Sequence, residues 1–204
     1  MKFLIILSLL YLGCSHIGID ASSLISQSSF QCMKNSGMDF AVMRGYRSSG
    51  SVDPNACASL KNAQAAGLST HTYIFPNTNG DPSQQIDAII SGLSGCGYSY
   101  IFIDVEQYDW KDQSFNRNFL KTMIDHLVSR TGRCDIYTNK VQWGGIVGLD
   151  YTYGSKCGLW WASWDNQPNF NDFSPFSGWN QAEMKQYTGD SQVCGSDIDH
   201  DYYA

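Results

Sequence analysis

The stretch Tyr98–Glu106, with the sequence YSYIFIDVE, is the strongest strand signal in the chain and decides the fold. Its apolar residues lead directly into two acids, Asp104 and Glu106. Side chains alternate between the faces of a strand, so these two carboxyl groups share a face about 6–7 Å apart. The carboxyl ends of parallel strands are where β/α folds carry out chemistry, and crowding raises the pKa of one acid in such a pair. A D-x-E pair alone is a weak signal, since most such pairs are solvated strand ends.

Predicted strands and amphipathic helices alternate around this stretch, which indicates a parallel sheet with right-handed crossovers. The pattern predicts an α/β fold, a single modified β/α barrel that is TIM-like, with about five βα units and then strands lacking helices. An open doubly wound sheet is the alternative, although no glycine-rich nucleotide-binding motif is present. The predicted strands are His16–Asp20, Asp39–Arg44, Thr70–Phe75, Tyr98–Glu106, Asp135–Tyr137, Leu159–Ser163, Glu183–Tyr187 and Asp197–Tyr202, and the predicted helices are Ser28–Lys34, Ala56–Ala66, Pro82–Leu93 and Phe115–Arg130.

Composition and charge limit the kinds of protein and partner that this sequence is compatible with. The 204 residues are 43% hydrophobic and 16% charged, which suits one globular domain with a core. Aromatic residues make up 14%, which indicates either a sugar-binding groove or an aromatic-rich core. The net charge of -6 and the pI of about 5.0 argue against nucleic acid as a partner and against charge-driven adhesion to anionic membranes.

The first residues resemble a secretory signal peptide, residues 1–15. Lys2 gives a positive start, the apolar run Phe3–Leu12 is too short for a transmembrane helix, and small residues follow it. Cleavage after Ser15 leaves a mature domain of residues 16–204. A lipoprotein anchored at Cys14 is the alternative. We therefore expect a secreted protein, or one that resides in a phagosomal or lysosomal lumen.

The cysteines agree with export. Seven are present, and the six that follow the signal peptide indicate three disulfides. None is spaced C-x-x-C, so a zinc or redox site is not expected. Positions beside the predicted strands and helices favour pairing between neighbours in the sequence, namely Cys32–Cys57, Cys96–Cys134 and Cys157–Cys194.

Further acids lie at the two ends of the domain. Asp20 ends the first predicted strand, and three aspartates alternate along the last, SDIDHDYY, 196–203. In a barrel the first and last strands are neighbours, so Asp20 and one late aspartate can meet Asp104 and Glu106. Such a cluster suggests glycosidic acid/base chemistry more than a metal site. A calcium loop is disfavoured because the late run lacks the glycine and distal glutamate of an EF-hand.

A series of motifs, in order over nearly all of 16–204, resembles the glycoside hydrolase family 25 lysozymes (the Chalaropsis type), and most of all the secreted form of amoebae and nematodes. The segments that carry the resemblance are Gly18–Asp20, Phe40–Tyr46, Ala63–Tyr73, Ile103–Glu106, Leu159–Ala162, Gln186–Thr188 and Ile198–Asp201.

The resemblance implies hydrolysis of the β-1,4 bond between N-acetylmuramic acid and N-acetylglucosamine in bacterial peptidoglycan, by a monomer without cofactor or metal. It implies Glu106 as the general acid. Asp104 would orient or stabilise the 2-acetamido group with help from Asp20 and Asp199, and Asp197 is a rival for the last position. The implied substrate contacts are Arg44, Tyr73, Tyr137, Trp161, Gln186 and Tyr187.

Two departures from the family pattern stand out. Lys185 occupies a position where the family often has Trp, and Asp201 replaces the usual Asn.

A chitinase is excluded because Ser99 and Phe102 occupy the positions of its upstream acids. A non-catalytic sugar-binding protein remains the alternative. It would keep the aromatic residues and could lose the carboxylates.

Overall fold

The structure is a computed structural model, and it describes residues 15–106 and 109–204. The predicted signal peptide lies, apart from Ser15, outside the described residues. The strands are β1 (His16–Ala21), β2 (Phe40–Arg47), β3 (Ser51–Val52), β4 (Ser69–Ile74), β5 (Ile101–Asp104), β6 (Asp135–Thr138), β7 (Gly158–Ala162), β8 (Met184–Val193) and β9 (Ser196–Tyr203), the α-helices are α1 (Gln27–Asn35), α2 (Ala56–Ala65), α3 (Pro82–Gly92), α4 (Gln113–Thr131) and α5 (Lys140–Ile146), and a 3-10 helix covers Tyr153–Lys156.

Eight of the strands close into a barrel, which confirms the predicted fold and excludes the open sheet. Strands β1, β2, β4, β5, β6, β7 and β8 run parallel in that order. Strand β9 is antiparallel to both β8 and β1 and completes the ring, while β3 only extends β2 as a short hairpin. The first and last strands are therefore neighbours, as predicted.

The predicted helices do not include α5, which follows β6 and completes five βα units. Its sequence, KVQWGGI, contains two glycines and has weak helix propensity. Two features compensate. The Asn139 side chain accepts hydrogen bonds from the backbone of Val141 and Gln142, and Trp143 is fully buried. Capping and tertiary burial thus form a helix that periodicity does not reveal.

Strands β8 and β9 also differ from prediction. β8 continues to Val193, six residues past the predicted end, and together with β9 it forms a hairpin. Most side chains of 187–193 are partly or fully exposed, so the extension carries no apolar pattern. β5, in contrast, begins later than predicted, at Ile101, and residues 98–100 precede it.

The core has two parts. The larger part lies between the sheet and the helices. The smaller part fills the barrel interior below its carboxyl end, and polar side chains project above it. The interior cluster consists of Phe40, Val42, Phe102, Tyr137, Trp160 and Met184.

The three disulfides are present, but the predicted pairing is wrong throughout. The observed pairs are Cys32–Cys194, Cys57–Cys96 and Cys134–Cys157. Ring closure explains the first pair, since it brings the tip of the last hairpin to the first helix. The third pair joins the residues that precede the adjacent strands β6 and β7. Within the described residues, no helix is both long enough and apolar enough to cross a membrane.

Candidate active site

The carboxyl ends of four neighbouring strands direct polar side chains into the mouth of the barrel. Strand register places Arg44 beside Tyr73, and Asp104 beside Tyr137. Asp20 on β1 lies directly across from Asp199 on β9. Paired residues on adjacent strands point to the same side of the sheet, so this register brings polar groups from both ends of the chain together.

A cavity of about 200 Å³ opens among these residues. A second cavity of about 230 Å³ shares Asp20, Tyr73 and Asp199 with the first, so the two form one groove across the barrel mouth. A larger cavity of about 590 Å³ lies at the opposite end, beside His71 and Arg133. We place the chemistry at the smaller cavity because only there do the acids converge. Its lining is Asp20, Tyr73, Asp104, Glu106, Tyr137, Trp160, Trp164, Gln186 and Asp199.

Asp104 and Glu106 differ in their surroundings. Asp104 is the last residue of β5 and is buried, and its Oδ1 has no hydrogen-bond partner among the described residues. Glu106 lies two residues beyond the strand and is half-buried. The Trp110 indole donates to the backbone oxygen of Glu106 at 2.7 Å, which anchors the backbone of Glu106.

Burial and crowding raise the pKa values of the four acids that line the first cavity, Asp20, Asp104, Glu106 and Asp199. Burial is the main cause for Glu106, with a smaller contribution from Asp199. For Asp104, burial comes first, followed by the charges of Glu106 and Asp20, while Arg44 opposes the rise in pKa. Burial raises the pKa of Asp20 to about 8. The cluster therefore holds protons at a pH where ordinary carboxyl groups are ionised, as a general acid requires.

Gln186 organises the cluster. Its Nε2 donates to Asp20 Oδ2 at 2.7 Å and to Asp199 Oδ2 at 3.3 Å. Its Oε1 accepts from the Tyr137 hydroxyl at 2.8 Å and from Trp164 Nε1 at 2.7 Å. Both hydrogens and both lone pairs of the amide are thus used, which holds two acids and an aromatic wall in fixed positions.

Asp197 and Asp199 occupy different positions relative to the acid cluster. Asp199 faces Asp20 and accepts a hydrogen bond from the backbone of Asp190 at 2.7 Å. Asp197 is exposed, pairs with Gln192 and borders only the outer cavity. Of these two, Asp199 is therefore the one that reaches the acid cluster.

The residues predicted to contact substrate separate into three groups. Tyr73, Tyr137 and Gln186 line the cavity. Arg44 is on the interior face but is held by Asp53, with Nε and Oδ2 2.9 Å apart. Trp161 and Tyr187 are not in the lining, because Trp161 belongs to the core between the sheet and the helices and the Tyr187 ring stacks on His200.

Two neighbouring tryptophans take the place predicted for Trp161. Trp160 is buried in the interior cluster and lines the cavity. Trp164 is 58% exposed at the rim, which leaves its ring face open to a ligand. Trp161 instead packs against Phe173 and under the ammonium group of Lys185. Because adjacent side chains point to opposite faces of a strand, only one of Trp160 and Trp161 can face the groove, and the register of β7 determines which.

In the described parts of the chain, no group of three or more His, Cys, Asp or Glu side chains is arranged to hold a metal ion.

The chain is similar to known proteins along most of its length. The family model described as Lysozyme-like protein 1 matches residues 14–187. A Dictyostelium discoideum protein, probable GH family 25 lysozyme 4, is 40% identical over 91% of this chain and 89% of its own length. Lysozyme-like protein 5 of Caenorhabditis elegans is 35% identical over 99% of each. The solved muramidase of Trichobolus zukalii has the same fold, with a TM-score of 0.75, 20% identity and 93% coverage of both chains. The chain belongs to the glycoside hydrolase family 25 lysozymes.

Proposed function

We propose that the protein hydrolyses the β-1,4 bond between N-acetylmuramic acid and N-acetylglucosamine in bacterial peptidoglycan. The observation that carries the proposal is the half-buried Glu106 beside the buried Asp104 in an open groove. The cluster leaves one acid able to donate a proton and a second able to stabilise positive charge. The similarity to lysozymes supports the choice of substrate.

Each group has a role in this proposal. Glu106 donates its proton to the glycosidic oxygen, the bond to the anomeric carbon breaks, and a water molecule supplies the hydroxyl to that carbon. Asp104 stabilises the positive charge that develops on the sugar and orients its 2-acetamido group. Asp20 and Asp199 assist from the opposite strands, and Tyr73, Trp160 and Trp164 form the walls that bind the glycan.

The setting of the enzyme belongs to the same proposal. We expect a secreted monomer, or one in a phagosomal or lysosomal lumen, with the glycan as its partner and neither nucleic acid nor membrane. The predicted signal peptide supports export, and the acidic net charge supports the absence of nucleic acid.

The test is the variant Glu106→Gln, which keeps the size of the side chain and removes the proton. Clearing of a bacterial wall suspension should slow by about 10²–10⁴-fold, the usual contribution of a general acid. Glu183→Gln is the matched control, because Glu183 is exposed and lies at the opposite end of the barrel, where it pairs with Arg133. Wild-type turnover by the Glu106 variant would overturn the assignment.

A further inference from the structure

Asp201 is a carboxyl group enclosed in the barrel wall directly beneath the groove. Its side chain lies on the face of β9 that is turned towards the barrel interior, and it is fully buried. In the strand register it lies between Gln186 on β8 and Gly18 on β1. A Cβ atom at Gly18 would lie 2.5 Å from the Phe40 ring, so the Phe40 ring occupies the space that a side chain at this position of β1 would need.

The hydrogen bonds of Asp201 are incomplete if it is ionised. Its Oδ1 accepts from Trp160 Nε1 at 2.8 Å. Its Oδ2 is buried, and among the described residues no donor reaches it. The Asp20 side chain is nevertheless within hydrogen-bonding reach of Asp201. Two ionised carboxylates can only accept hydrogen bonds, so this contact requires a proton on one of them.

The surroundings decide which of the two acids donates in this contact. Asp20 already accepts from Gln186 Nε2 at 2.7 Å and lines the groove, where water and substrate reach it. Asp201 lines neither cavity of the groove and has an oxygen without a donor. Their mutual hydrogen bond lowers the pKa of Asp20 and raises the pKa of Asp201, whose largest upward contribution is burial.

The other titratable groups around Asp201 are also acids or phenols. Asp199 lies two residues away on the same face, and its charge raises the pKa of Asp201. The charge of Asp201 in turn raises the pKa of Tyr137 on β6 and of Tyr187 on β8. Lys185, also on β8, points away and binds Asp165 and Asp172. These surroundings favour the neutral form of Asp201.

We propose that Asp201 is a positioning residue that keeps its proton and donates a hydrogen bond to Asp20. Two donors then hold Asp20 in one orientation at the groove. The second donor is Gln186. This inference rests on the proposed muramidase function for its effect on the reaction, but the proton on Asp201 can be measured without any activity.

Two variants test the effect on the reaction at about pH 5. Asp201→Asn supplies an amide donor to Asp20 and an oxygen to Trp160, and should keep kcat within about threefold of wild type. Asp201→Leu has a similar size and no donor, and should lower kcat by about tenfold or more with little change in KM, because the buried Asp20 oxygen is left without its donor. A large loss of kcat in the Asn variant would show that the reaction needs an ionised Asp201. An unchanged kcat in the Leu variant would equally overturn the proposal.

Infrared spectroscopy tests the proton directly and does not depend on activity or on the folding of the Leu variant. At about pH 7, where ordinary aspartates are ionised, the wild-type protein should show carboxylic acid absorption that Asp201→Asn reduces by the contribution of one carboxyl group. Asp197→Asn is the matched control, since Asp197 is exposed on the same strand, and it should not reduce this absorption. Unchanged absorption in the Asp201 variant would overturn the inference. A wild-type protein that shows this absorption but does not cleave peptidoglycan would instead overturn the proposed function.

Discussion

The buried acids should make the free energy of unfolding fall as the pH rises from about 6.5 to 8. The pKa of Asp20 is raised from 3.8 to about 8, mainly by burial. Throughout this window the unfolded chain has released the Asp20 proton, while the folded protein still holds much of it. A group whose pKa is raised in the folded state loses its contribution to stability as the pH rises through the folded value.

Below about pH 6.5, histidine has the opposite effect on the free energy of unfolding. Burial lowers the pKa of His71 from 6.5 to about 4, so His71 costs stability as the pH falls below 6.5 and has little effect above it. At about 1.4 kcal/mol per pH unit, Asp20 alone should remove about 2 kcal/mol across the window. The pKa of Asp201 is raised as well, and this group acts in the same direction.

Urea unfolding at several pH values, followed by tryptophan fluorescence with the disulfides intact, measures this effect. Asp20→Asn should reduce the fall between about pH 6.5 and 8, because that proton is no longer released. Asp125→Asn should leave the fall unchanged, since Asp125 is near the surface and hydrogen bonds from Lys121 and Lys156 hold its pKa far below this range. A wild-type stability that stays constant or rises across the window would refute the reasoning.

Three other predictions concern activity and the covalent framework. Asp104→Asn should lower wall lysis by more than about tenfold, about 1.4 kcal/mol in the barrier, and a smaller loss would show that Asp104 does not stabilise the reacting sugar. Lysis should be fastest at about pH 4–6, because Glu106 must be protonated and low pH weakens repulsion between the acidic protein and anionic walls, and an optimum above about pH 7 at low ionic strength would contradict this. Replacing Cys32 and Cys194 by alanine removes a link between residues 162 apart in sequence. Chain entropy predicts a loss of about 5 kcal/mol in urea unfolding, and a loss below about 1 kcal/mol would contradict that value.

The sequence predicts the barrel and the acid cluster well for a physical reason. Apolar runs such as 101–103 and the helical spacing of 115–128 report burial directly, and burial determines the layers of this fold. Asp104 and Glu106 follow such a run, and ring closure brings Asp20 to Asp199. These inferences need only local patterns and the order of the strands.

The errors concern features that depend on three-dimensional neighbours. The pairing of Cys32 with Cys194 follows from closure of the ring and from the length of the last hairpin, whose polar residues give no strand signal. Trp160 and Trp161 are identical in type and adjacent, so composition cannot tell which of them faces the groove. Burial of Asp201 likewise depends on ring closure, which places it between Gly18 on β1 and Gln186 on β8.

Identification of the reducing ends released from peptidoglycan tests the central claim most directly. Purified, insoluble peptidoglycan is digested, the products are reduced with borohydride, and the reduced amino sugars are identified by mass spectrometry. The proposed function predicts new N-acetylmuramic acid ends with the wild-type protein and none above background with Glu106→Gln. New N-acetylglucosamine ends, peptides released without new sugar ends, or equal release by the Glu106 variant would contradict it.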